Sequence, residues 1–155
     1  MNKETANVIA PPPVLFVGAL VVGLVIDWLF GWHLPMPLFA RSLLGLIVIL
    51  IGAIPLGLAL IELRRANTPV EPWKPTRQIV TGGPYRFTRN PIYIGMSFIY
   101  LGLVIVFGSG AGFLLLLPVL VTLHFGVVLR EEAYLAARFG KLYETYRDKT
   151  PRWIQ

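Results

Sequence analysis

Residues 41–63 read RSLLGLIVILIGAIPLGLALIEL, and Arg41 and Glu62 are the only charges in that stretch. A helix that crosses a bilayer needs roughly 20 predominantly apolar residues, because each residue rises only about 1.5 Å through a hydrocarbon core about 30 Å thick. This stretch has both the length and the apolarity. Pro55 lies inside it with Gly52 and Gly57 nearby, which reads as a kink with close helix packing, tolerated in membrane helices.

Outward from there, blocks 14–30, 92–107 and 111–129 share the same character. Block 92–107 is short, so it is either extended by interfacial residues or runs directly into a cytoplasmic segment. Gly108-Ser109-Gly110 leaves room only for a tight hairpin, which makes the last two spans antiparallel neighbours. Pro11-Pro12-Pro13 starts the first span, and no small-residue cleavage site follows it, so it reads as an uncleaved anchor. Composition agrees: 14% of residues are charged and 55% apolar, against roughly 25% and 45–50% in soluble domains. The absence of cysteine excludes disulfides, thiolate metal sites and cysteine nucleophiles. The expected fold class is an all-α integral membrane protein. It has four transmembrane helices in a single domain over 1–155, a cytoplasmic loop 64–91 and a cytoplasmic helical tail 130–155.

The net charge of +6 is not spread evenly. Of the 14 Lys and Arg, 12 fall in segments 64–90 and 130–155, which four spans place on one side. That clustering argues against nucleic acid as a partner and, by the positive-inside rule, makes that side cytoplasmic. Lys3 puts the amino terminus there too, and Arg41 is the outlier. The expected location is the inner membrane, multi-pass, with both termini cytoplasmic. Trp28 and Trp32 bracket the outer end of the first span, and Asp27 is expected to reach that interface.

Polar chemistry concentrates in two places. In Thr81-Gly82-Gly83-Pro84-Tyr85-Arg86-Phe87-Thr88-Arg89-Asn90-Pro91-Ile92-Tyr93, the glycines and proline demand a turn whose backbone approaches a ligand closely. Asn90-Pro91 reads as an N-cap with proline at the first helical position. Such a helix start is a seat for an anionic group, helped by Arg86 and Arg89, or simply a capped helix with snorkelling arginines. The second place is Arg130-Glu131-Glu132, two adjacent carboxylates at the end of a hydrophobic helix. His124 precedes Glu131 by seven residues, two helical turns, which puts both on one face. Leu135, Phe139, Leu142, Tyr143 and Tyr146 then form an apolar stripe with Gly140 as a break. The stripe docks a helix on the membrane or the protein, or its tyrosines close a lid over a site.

The runs GPYRFTRNPIYIG and, about 35 residues later, REEAYLAARFGKLYETYRDKTPRWI resemble the isoprenylcysteine carboxyl methyltransferase and phospholipid N-methyltransferase superfamily. The resemblance covers about residues 65–155 well and the first two spans only by hydropathy. It implies an S-adenosylmethionine-dependent integral-membrane methyltransferase acting on an amphipathic or lipid-like acceptor, through a carboxylate, amine or thiol, without a metal. Carried over, cofactor binding falls to Gly82, Gly83, Tyr85, Arg89, Pro91, Tyr93, His124, Glu131 and Glu132. The catalytic group is Arg89, Asn90, Tyr93 and Glu131. Many members carry Arg-His-Pro where this chain has Arg89-Asn90-Pro91, and asparagine cannot shuttle a proton. The loop from Asn67 to Trp73 borders the acceptor path or is a stiff loop anchored by its indole. Membrane sterol reductases, which use NADPH, resemble the same carboxyl-terminal motifs but have a larger helical bundle. A four-helix exporter or scaffold is the remaining reading. An exporter needs a charged residue deep in a span, and Asp27 sits too near an end.

Overall fold

The computed structural model describes residues 5–154, so the charge at Lys3 lies outside the described residues. Within them the regular structure is helical: α1 (Pro12–Phe30), α2 (Leu38–Arg65), a 3-10 turn (Gly83–Arg86), α3 (Pro91–Phe107), α4 (Gly110–Leu123), a π turn (His124–Val128), α5 (Leu129–Phe139) and α6 (Lys141–Lys149). Three helical runs are long and apolar enough to cross a membrane: Pro12–Phe30, Leu38–Arg65 and Gly110–Phe139. Helix α3 is equally apolar but has 17 residues.

Local chemistry sets these limits. Pro12 occupies the first turn of α1, where its missing N–H costs nothing, and Gly31 ends that helix in the left-handed region at φ 70°. Gly108 ends α3 the same way at φ 68°. Ser109 then caps α4, its hydroxyl accepting the Gly112 N–H at 2.9 Å. Pro55 sits within α2 without ending it.

Two glycine seams bring the helices together. A Cβ on Gly52 would stand 2.5 Å from the Gly95 carbonyl oxygen, and one on Gly102 would stand 2.7 Å from that of Gly45. Helices α2 and α3 therefore meet backbone to backbone in antiparallel fashion at two levels seven residues apart on each helix. Gly23 and Gly112 do the same for α1 and α4. Gly57, expected to share in the close packing, instead faces open space.

Three further expectations change. Asp27 does not reach an interface; it is 2% exposed and accepts hydrogen bonds from the Ser109 hydroxyl and the Ala111 N–H. The first turn of α4 has N–H groups without helical partners and a partial positive charge, and these draw the carboxylate inward. Arg41, the outlying cation, packs against Gly108 at the carboxyl end of α3, where carbonyl dipoles favour positive charge. The final apolar block does not stop at 129, because α4, the π turn and α5 run on as one helix to Phe139.

The π turn has the largest effect on the site. The Leu129 N–H reaches back five residues to the His124 carbonyl. This wider turn holds an extra residue and rotates the rest of the run by roughly a quarter turn relative to an unbroken α-helix. His124 and Glu131 consequently leave their common face.

Candidate active site

A solvent-open cleft lies at the amino-terminal end of α3. Its walls come from loop 68–80, the 3-10 turn, the start of α3, and helices α5 and α6. Tyr85, Arg89, Asn90, Pro91, Tyr93, Glu131 and Glu132 all line it. Gly82, Gly83 and His124 do not. The glycines instead pack against Glu62 at the end of α2: a Cβ on Gly83, whose φ is +54°, would stand 2.9 Å from Glu62 Cγ. His124 lines a separate groove with Trp153.

The two glutamates have different surroundings. Glu132 is held on two sides. Arg152 donates to it bidentately, Nε and Nη2 each at 2.8 Å, and Arg89 Nη1 lies 2.9 Å from Oε1. Glu131 receives a single hydrogen bond, from the Tyr93 hydroxyl at 2.7 Å. The helical period explains the pairing: α5 presents successive residues about 100° apart, so one carboxylate meets α3 and its neighbour meets the tail. Glu71, a third carboxylate of the cleft, is paired with Lys74 at 2.6 Å. Among the described residues Glu131 is thus the cleft carboxylate without a cation.

Asn90 precedes α3, but its side chain makes no cap. Its Nδ2 instead donates to the Arg152 carbonyl at 2.9 Å, which the Thr88 hydroxyl also reaches at 2.9 Å, and the Arg89 N–H donates to Pro151. The tail after α6 is thereby strapped across the start of α3. Arg89 also donates from Nη1 to the Tyr143 hydroxyl at 3.1 Å, while its Nε is buried without a partner among the described residues. Tyr146 donates to the Tyr85 carbonyl at 2.8 Å. Burial pushes the hydroxyls of Tyr85, Tyr143 and Tyr146 upward, so all three stay protonated near neutral pH. Gly140, at φ +52°, breaks the expected stripe: Tyr143 and Tyr146 turn into the cleft while Leu142 is exposed.

Thr68 to Pro72 line the cleft, although Asn67 and Trp73 do not. Two contributors escaped the sequence reading. Tyr134, whose hydroxyl accepts the Thr76 N–H at 3.1 Å, lies three residues beyond Glu131, a spacing that could have flagged it. Arg152 carried no signal beyond its charge, because 20 residues and two helix breaks separate it from Glu132.

A multi-pass helical protein with a carboxylate- and tyrosine-lined cleft at one end of its apolar helices is thereby defined. Residues 40–142 match the phospholipid methyltransferase family, well over half of the chain, and the chain belongs to that family. It is also 38% identical over 76 residues to the protein-S-isoprenylcysteine O-methyltransferase of Schizosaccharomyces pombe, a stretch covering 49% of this chain. That stretch is 32% of the relative, so the chain matches about a third of the relative's length. No solved structure matches. The family match begins earlier than the two sequence motifs, within α2, and ends at residue 142, before the strap.

Proposed function

We propose that the chain transfers a methyl group from S-adenosylmethionine to an amphipathic or lipid-like acceptor at the cytoplasmic face of the inner membrane. The observation that carries this reading is Glu131, a cleft carboxylate bonded to Tyr93 while Glu71 and Glu132 are already ion-paired. Family membership supports the reaction class. In this reading α3 is a fourth span, and the basic segments 64–90 and 130–155 lie inside with both termini.

The residues present fit the cofactor. Glu131 is an acceptor suited to an ammonium or to ribose hydroxyls. Arg89 Nε is a buried donor without a partner among the described residues, suited to a carboxylate. The faces of Tyr85, Tyr143 and Tyr146 tolerate a sulfonium. When bound, S-adenosylmethionine supplies an electrophilic methyl group whose transfer needs alignment more than acid or base. Tyr93 fixes Glu131; Arg89 and Arg152 fix Glu132; Tyr143 shields the Arg89–Glu132 pair from water. An amine or thiol acceptor would hand its proton to Glu131, whereas a carboxylate acceptor has none to give. Asn90 acts by holding the tail rather than by moving a proton. Leu63, Val80, Ile92 and Val128 give the cleft an apolar wall suited to a lipid-like acceptor.

The test is calorimetric titration of the detergent-purified protein with S-adenosylmethionine, with NADPH in parallel. Saturable binding of S-adenosylmethionine alone is the expected result. Binding of NADPH alone would replace this reading with a reductase. Silence from both, repeated in lipid nanodiscs, would leave an exporter or scaffold.

A further inference from the structure

A second, open concavity lies between α3 and the α4–π-turn run. Ser97, Phe98, Val121, His124, Phe125 and Trp153 line it, and none of them lines the cleft. Ser97 turns its hydroxyl back onto the Tyr93 carbonyl at 2.7 Å, which leaves the His124 ring as the main polar surface. That ring is packed edge-on by Phe125 at 4.9 Å and faced by Trp153 at 6.1 Å.

We infer that this groove binds one acyl chain of a bilayer phospholipid, as a site separate from the methyl acceptor's. The surfaces that the groove joins identify the occupant. Leu114, Leu117, Val121 and Phe125 form an exposed apolar stripe along α4, at helical spacing, and the groove opens from that stripe. In a membrane that stripe faces lipid tails, so the groove is continuous with hydrocarbon. The occupant's site is distinct from the acceptor's. Pro151 and Arg152 are tied to the start of α3 through the Arg89 N–H, Asn90 Nδ2 and the Thr88 hydroxyl, and no residue lines both groove and cleft.

The site also bears on the cleft. Trp153 forms one wall of the groove, and its neighbour Arg152 grips Glu132. A bound acyl chain packs against the indole and holds the strap in place, so lipid occupancy steadies the cleft from behind. The matched family stretch ends at residue 142, so the strap belongs to the part of the chain that the family match does not describe.

The test uses a variant with Trp28→Phe, Trp32→Phe and Trp73→Phe, which leaves Trp153 of the four tryptophans as the fluorophore. It is placed in nanodiscs of phosphatidylcholine brominated in mid-chain, without cofactor, so the outcome does not depend on the methyltransferase reading. Trp153 is expected to be quenched. Val121→Phe, which narrows the groove from its lipid-facing rim, is expected to relieve the quenching, since excluding even one methylene lowers occupancy roughly fourfold. Leu117→Phe, outside the groove on the same stripe, should leave it unchanged. Absence of quenching, or equal quenching in both variants, overturns the site. Should Val121→Phe not fold, phosphatidylcholine carrying a diazirine in its acyl chain decides on the unmodified protein. Label concentrated on residues 120–125 and 153–154 supports the site, and label spread evenly along the stripe overturns it.

Discussion

The Tyr93 hydroxyl donates to Glu131 Oε1 across 2.7 Å, joining the first turn of α3 to the first turn of α5. Every other carboxylate of the cleft is already ion-paired among the described residues, so this contact leaves Glu131 with acceptor capacity for a ligand. Glu131→Ala is expected to weaken S-adenosylmethionine binding about 10- to 100-fold, the equivalent of one charge-assisted hydrogen bond of about 1.5–3 kcal/mol. Tyr93→Phe should cost less, because the carboxylate stays in place. Calorimetry on both, with circular dichroism to show that they fold, checks the order; equal loss or no loss in either would remove Glu131 from the binding role.

Arg152→Ala should release the tail from α5. Arg152 is 35% exposed and Glu132 is 15% exposed, so solvent screening holds the expected loss of stability to about 1 kcal/mol. Arg152→Lys should recover only part of it, since an ammonium cannot reproduce the bidentate fork. Thermal unfolding in detergent and amide exchange at Arg89, whose N–H donates to Pro151, read the two effects separately.

The glycine seams predict opposite outcomes for similar changes. Gly52→Ala forces a methyl to within 2.5 Å of the Gly95 carbonyl and should destabilise by about 1–3 kcal/mol through overpacking. Gly57→Ala, with nothing within 4 Å of the new atom, should stabilise α2 by about 0.5–1 kcal/mol. Midpoints of thermal unfolding in one detergent decide between them; a stable Gly52→Ala would show that the α2–α3 seam is not backbone to backbone.

Alkaline pH should loosen the cleft. Burial raises the hydroxyl pKa values of Tyr85 and Tyr146 above their ordinary value. In the unfolded chain these groups lose their protons near pH about 10. Above that pH the unfolded state binds fewer protons than the folded state, so their contribution is intact below it and falls as pH rises further. Ultraviolet titration of tyrosinate should find these two among the last of the six tyrosines to ionise. Tyr146→Phe should flatten part of the alkaline loss of stability.

How far the sequence alone could be read varied with the kind of physics involved. Hydropathy located the first three apolar helices, and the start of the last, to within a few residues, since a soluble fold has no use for the excess hydrocarbon of a segment such as 41–63. The motif around Arg89 and Tyr93 and the pair Glu131-Glu132 directed attention to residues that do share one cleft. The features that stayed hidden depend on long-range docking. Nothing local indicates that α4 will present its free N–H groups to Asp27, or that Asn90 will turn from its own helix to a carbonyl 62 residues away. The residues after α6, read for their charge, proved to strap the start of α3 and to grip Glu132.

The π turn gives the last transmembrane run an unusual mutational profile. His124-Phe125-Gly126-Val127-Val128 contains no residue that forces the wider winding; apolar exchanges should be absorbed at the exposed Phe125, but not at Gly126, which packs on Ile9, or at the fully buried Val127 and Val128. Length is another matter. The turn already carries one residue more than an α turn, so deleting one would let it relax to ordinary winding and leave Glu131 and Glu132 close to their present phase, whereas inserting one would rotate everything beyond by about 100°, swinging Glu131 off Tyr93 and Glu132 off its arginines. The segment is therefore a phase-setting spacer with one residue in reserve, able to lose one and unable to gain one.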